Sequence, residues 1–180
     1  MSIPTLRTQR LVLRPFSPSD APAVQRLAGD REVASTTLTI PHPYEDGMAE
    51  AWIEGRASDW AEKKALTLAV TTEADGLVGA MGLHLELEHL RAELGYWIGV
   101  PFWNRGYATE AGEAVIRFGF DELGLNRIEA EHFTRNPASG RVLEKLGMTG
   151  EGIRRDHVLK DDELEDMVLY AILSSHQDRG

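Results

Sequence analysis

A switch from strand to helix, punctuated by glycines, constrains this chain more than any other feature. In Gly95-Tyr96-Trp97-Ile98-Gly99-Val100-Pro101-Phe102-Trp103-Asn104-Arg105-Gly106-Tyr107-Ala108-Thr109-Glu110-Ala111 an apolar extended run enters a tight loop, which opens into an amphipathic helix. The first amides of such a helix have no intrahelical acceptor, and the helix dipole adds positive character there. An anion is welcome at that point. Gly106 lets the main chain approach a phosphate, and Arg105 puts a cation beside it. An ordinary loop ending in a helix would serve the pattern equally well. The spacing is neither that of a P-loop with its lysine nor that of a dinucleotide-binding turn, which disfavours both nucleotide-dependent classes.

The periodicities around this segment alternate. Residues 10–14 read as a strand stopping at Pro15, and Ser19 or Asp20 is placed to cap a short helix to about Ala28. Residues 36–46 read as loop, and a helix follows over about 47–63. Runs at 66–71, 77–87 and 92–100, separated by polar turns, read as an antiparallel meander. A helix over 107–123, a strand over 126–133, a helix over 136–146 closed by Gly147 and strands over 149–159 and 164–173 complete the order. This predicts an α/β fold, one domain over 1–180, with a mixed, mostly antiparallel sheet flanked by about four helices.

Composition narrows the function. The absence of cysteine removes thiolate chemistry and disulfides. A net charge of -10 repels phosphate backbones, so no nucleic-acid partner is expected; it would draw in cationic substrates, although solubility alone accounts for such a surface more simply. No run approaches a membrane span or a signal peptide, so a cytoplasmic location without membrane contact is expected. The histidines His42, His84, His89, His132, His157 and His176 show no metal-ligand spacing, and no metal is expected. His84 and His132 fall on central strands, where a hydrogen-bonded sheet histidine is the simpler reading.

The second informative stretch is Asn136-Pro137-Ala138-Ser139-Gly140-Arg141-Val142-Leu143-Glu144-Lys145-Leu146-Gly147-Met148. Asn136 suits an N-cap and Pro137 the first helical position. Ser139 is required by no capping rule, and side chains lean toward a helix N-terminus, so its hydroxyl overhangs the helix start. Glu144 and Lys145 read as solvated face.

Together the two stretches resemble the GNAT superfamily of N-acetyltransferases, in the branch typified by ribosomal-protein-alanine N-acetyltransferases. Trp103, Gly106 and Ala108 occupy the acetyl-CoA signature, with Asn104 where that branch usually has glycine. The resemblance implies a sheet splayed at the acetyl-CoA site and a diphosphate on the amides of Asn104, Arg105, Gly106, Tyr107, Ala108 and Thr109. It implies backbone contacts from Trp97, Ile98, Gly99 and Val100 to the pantetheine arm, and places Asn136 and Ser139 at the thioester.

Acyl transfer to an amine needs a neutral nucleophile, a stabilised oxyanion and a proton for the leaving thiolate. The resemblance assigns the base, working through water, to Glu93, which otherwise reads as a strand-edge carboxylate. Strand alternation puts Glu93, Gly95 and Trp97 on one face and Leu94, Tyr96 and Ile98 on the other. Ser139 is the candidate acid, or a hydroxyl bonded to backbone or coenzyme without proton transfer. A backbone amide near Trp97 to Gly99 is the expected oxyanion donor, with Tyr107 and Tyr170 more simply core. The resemblance favours a protein or peptide α-amine as acceptor, a basic N-terminus above all. A small amine such as a polyamine, aminoglycoside or amino acid, or a non-catalytic acetyl-CoA sensor, are the alternatives. Acceptor contacts are expected from residues 36–46, the helix after them and residues 160–166, and the chain is expected to act as a monomer or homodimer.

Overall fold

The computed structural model describes residues 2–175, so His176 lies outside the described residues. The chain starts with a minimal hairpin, β1 (Leu6–Arg7) and β2 (Val12–Arg14). Two residues show no readable period, so β1 escapes a sequence reading, and the 10–14 run contributes only its last three residues as strand. A 3-10 turn, Pro18–Asp20, leads into α1 (Ala21–Ala28). Asp20 stands at the N-cap position of α1 without a side-chain cap bond; Ser17 caps the 3-10 turn before it, and the Asp20 carboxylate accepts from the Ser17 amide at 2.8 Å.

The unpredicted α2 (Arg31–Ser35) is a single turn whose amide at Glu32 is capped by Asp30 at 2.9 Å. It is too short for helical periodicity and leaves five helices among the described residues instead of about four. Irregular chain then runs to α3 (Met48–Ala61). The meander is β3 (Ala65–Thr72), β4 (Gly76–Glu86) and β5 (Arg91–Ile98), antiparallel as expected. After it come α4 (Tyr107–Asp121), β6 (Arg127–Phe133), α5 (Pro137–Lys145), β7 (Thr149–Lys160) and β8 (Glu163–Leu173). The turn between the last two strands holds Asp161 and Asp162 at φ 51 and 65, left-handed values that aspartate tolerates.

All eight strands form one sheet in the order β1-β2-β3-β4-β5-β6-β8-β7. Among the described residues only β5 and β6 run parallel, and they pair over Arg91 to Glu93 against Arg127 to Glu129. Beyond Glu93 the two strands part while β5 stays zipped to β4 as far as Ile98. The sheet is therefore splayed at its centre. Ala111, Val115 and Ile116 of α4 and Leu143 of α5 bury one face against Val78, Leu83, Leu94 and Ile128. Val24 and Leu27 of α1 and Ala49 and Ile53 of α3 cover the other face with Ala69, Ala80 and Trp97. The two layers hold the opening between them.

Candidate active site

The loop from β5 to α4 is shaped for exposed amides. Asn104 has φ 61 and Gly106 φ 79, two left-handed residues that turn successive N–H groups the same way. Asparagine is the side chain that most readily replaces glycine in this conformation, which accounts for Asn104. None of the amides from Asn104 to Thr109 reaches a protein acceptor among the described residues; the first helical amide to do so is Glu110, bonded to the Gly106 carbonyl at 3.0 Å. The loop is braced from behind. Trp103 donates its indole N–H to the Ile98 carbonyl at 2.6 Å, and Arg105 lies with its guanidinium 5.5 Å from the Phe102 ring centre.

A second brace comes from the N-terminal hairpin. Arg10 donates to the Arg105 carbonyl at 2.9 Å and to Glu110 at 2.7 Å, and its guanidinium lies 5.0 Å from the Tyr107 ring centre. Glu110 also accepts from the Thr8 hydroxyl at 2.6 Å and the Arg10 amide at 2.8 Å. Desolvation raises its pKa, yet these donors outweigh it and hold the carboxyl below its ordinary range. No sequence signal connects residues 100 positions apart.

Ser139 and Asn136 share the start of α5. The Asn136 side-chain oxygen accepts from the Ser139 amide at 3.4 Å, the expected capping role. The Ser139 hydroxyl hydrogen-bonds the Tyr96 phenol at 2.8 Å. Desolvation raises the phenol's pKa and the bond to Ser139 only partly offsets this, so Tyr96 stays protonated near neutrality. Two hydroxyls that share one proton leave one O–H free. Tyr96 was missed as a site residue, although strand alternation already separates its face from that of Glu93.

Glu93 stands at the last paired position before the splay, its Cα opposite Glu129 on one side and His84 on the other. It is open to solvent, but desolvation by the surrounding walls, then the charges of Glu131 and Glu129, raise its carboxyl above the ordinary range; His84 and Arg154 pull less strongly the other way. Arg154 pairs with Glu131 and lies 3.4 Å from His157. Glu93 lies on the opposite face of β5 from Tyr96, the residue that bonds Ser139. Lys160, buried at the end of β7, donates to the Ile40 carbonyl at 3.2 Å and ties the 36–46 segment to the last hairpin.

The other candidates are structural in their contacts. Trp97 is buried against α1 and α3, and the Gly99 amide bonds the Val78 carbonyl at 2.9 Å. Val100 packs at the edge of the same cluster, and Ala108 is half-buried. Tyr170 donates to Glu144 at 3.2 Å, and buried His132 bonds the Phe133 carbonyl at 2.8 Å through Nδ1. No group of three or more histidines, aspartates or glutamates among the described residues could hold a metal ion.

A sheet opened between two parallel strands, with free amides at one end of the gap and a hydroxyl pair over it, suits an extended ligand bearing phosphates. The family model of the acetyltransferase (GNAT) domain matches residues 10–149. The uncharacterized N-acetyltransferase YoaA of Bacillus subtilis is 32% identical over 176 residues, covering 97% of this chain and 99% of that protein. The crystal structure of a GNAT-family acetyltransferase from Bacillus anthracis superposes with a TM-score of 0.86 at 27% identity, covering 96% of this chain and 99% of that one. The [ribosomal protein uS5]-alanine N-acetyltransferase of Escherichia coli is 37% identical over 79 residues, 44% of this chain and 41% of that enzyme. This chain belongs to the GNAT acetyltransferase family. It is an acetyl-CoA-dependent N-acetyltransferase.

Proposed function

We propose that the acceptor is a primary amine, and above all the α-amine of a basic protein or peptide N-terminus. The observation that carries this reading is the carboxylate lining of the gap on the face away from Ser139. Glu93 stands there beside Glu129 and Glu131, which Arg127 and Arg154 pair; desolvation first, then the charges of those two neighbours, raise the Glu93 pKa. Such a wall attracts an ammonium and can then take its proton, because a carboxylate with a raised pKa is the stronger base. The likeness to a ribosomal-protein-alanine N-acetyltransferase supports a protein acceptor.

Acetyl-CoA, the co-substrate, supplies an acetyl group as a thioester. The unpaired amides of Asn104 to Thr109 fit its diphosphate, and the edge of β5 that opens beyond Glu93, short of the Ile98 carbonyl held by Trp103, fits the amides of its pantetheine arm. Glu93 accepts the amine proton, directly or through water. Ser139, held by Tyr96, presents an O–H on the far side of the gap, where the leaving sulfur needs a proton. The Asn136 side chain fixes the turn that carries Ser139.

The test is a mass-spectrometric screen of basic and neutral N-terminal peptides, polyamines, aminoglycosides and amino acids with acetyl-CoA. Acetyl mass on the α-nitrogen of basic peptides is expected. Preference for a small amine by about tenfold or more in kcat/KM, which is roughly 1.4 kcal/mol, would overturn the acceptor assignment. Coenzyme binding without transfer to any amine would favour a sensor instead.

A further inference from the structure

Two charged side chains are buried among the described residues, Asp20 and Lys160. Arg14 neutralises Asp20, but no carboxylate pairs with Lys160, which is 9% exposed at the end of β7. Its Nζ donates to the Ile40 carbonyl at 3.2 Å, a neutral acceptor 120 residues away in sequence. Taking an ammonium out of water for one neutral bond weakens a fold, and an apolar side chain of similar length would pack there at less cost. Stability alone does not account for Lys160.

What the bond joins does account for it. Lys160 stands opposite Glu163 in the last hairpin, so alternation along β8 puts it on the face of Glu165, Met167, Leu169 and Ala171. Leu169 and Ala171 lie opposite Glu131 and Glu129, and Glu129 lies opposite Glu93. Lys160 therefore shares the carboxylate face of the sheet, across the gap from β5. Ile40 belongs to the other side. With Tyr44 it packs against the cluster in which α1 and α3 cover Ala80 of β4 and Trp97 of β5. Gln25 of α1 fastens the same segment, donating to the Tyr44 carbonyl at 3.3 Å and to Asp46 at 2.8 Å. Residues 36–46 thus leave the α1–α3 layer, meet Lys160 and return. They do so at the end of the sheet where β5 and β6 have parted, since the Lys160–Glu163 pair lies beyond Phe133, the last residue of β6.

We propose that Lys160 is a positioning residue for the acceptor: it clasps the 36–46 segment to the β7–β8 hairpin and so fixes a wall on the approach to Glu93. This rests on the reading that the acceptor amine meets Glu93. Lys160 acts through the segment it holds. An amine at the end of an extended chain lies along that wall, whereas a small amine reaches Glu93 without it, so the clasp favours the chain end.

In Lys160→Met the stem stays and the donor goes. The KM for a basic N-terminal peptide is expected to rise about tenfold, with kcat and calorimetric coenzyme affinity held within about twofold and the KM for a polyamine within about threefold. The Tm should hold or rise, because an unpaired buried charge has been removed. Amide exchange over residues 36–46, followed by mass spectrometry without any substrate, should quicken by about tenfold. Unchanged exchange there overturns the clasp. An unchanged peptide KM overturns the proposal, as does a joint fall in kcat, coenzyme affinity and Tm, which a purely structural residue would give. If the unmodified protein prefers small amines, the acceptor reading fails by itself, and the clasp then stands or falls on the exchange.

Discussion

Glu93 and Tyr96, three positions apart on one strand, reach two chemistries. An odd separation sends their side chains to opposite faces, one toward the carboxylates of β6 and the other toward the start of α5. Desolvation and the charge of Glu131 hold the Glu93 carboxyl high, so its working form appears only as pH climbs through that raised value. Activity in kcat/KM should accordingly fall on the acid side. Glu131→Gln removes a like charge and frees Arg154, both of which lower the Glu93 pKa. The acid limb of the pH–rate profile should then move to lower pH, and an unmoved limb would exclude Glu93 as its source. Across the gap, Tyr96→Phe leaves Ser139 without its partner. A drop in kcat of roughly ten- to hundredfold is expected, toward the lower end of what a positioned acid contributes, with calorimetric affinity for the coenzyme nearly unchanged. An unaltered kcat would reduce the hydroxyl pair to packing.

Two elements must hold a fixed spacing, since α4 carries the cradle and α5 carries Ser139. Gly112 sets it: a Cβ there would come within 2.7 Å of the Leu146 side chain. That neighbour is the flexible end of a leucine, so Gly112→Ala should cost only about 1 kcal/mol. It should nevertheless push the helices apart and weaken coenzyme binding. Gly82 contrasts with it. A Cβ there would meet the Leu66 carbonyl at 2.1 Å and the Thr67 Cα at 3.0 Å, main-chain atoms that cannot swing aside. Gly82→Ala should cost about 3 kcal/mol or more and lower the Tm well beyond the Gly112 variant. Equal losses in thermal melts would contradict this ordering.

At the scale of the whole molecule, ion pairs tie the helices to the N-terminal hairpin, one locally and one across a hundred residues. Arg14 grips both oxygens of Asp20 at 2.8 Å, and Arg10 with Thr8 grips Glu110. Burial pushes the Asp20 carboxyl up, but Arg14 and the Ser17 amide bring it below its ordinary range, as the donors do for Glu110. Depressed carboxylates lend their stability in full above the unfolded pKa and lose it as pH falls through the folded one. Glu93 works the other way, its strain relieved on protonation. The Tm should therefore decline below about pH 4, and Asp20→Asn should flatten that decline while lowering the plateau. A variant with an equally steep acid limb would show that other groups govern it.

Local patterning alone was enough for the order of the longer elements, the antiparallel meander and the tight loop before α4, because each depends on periods, caps and turn residues within a few positions. The same holds for the two faces of β5. Elements of two and five residues, β1 and α2, lie below the length at which a period exists. Tertiary structure decided the rest. The separation of β5 from β6 after Glu93, the bond between Tyr96 and Ser139, the Arg10 brace and the reach of Lys160 to Ile40 all join residues distant in sequence. Such contacts exist only once the sheet and its two helical layers have set their distances, and no local period encodes a distance between separate elements.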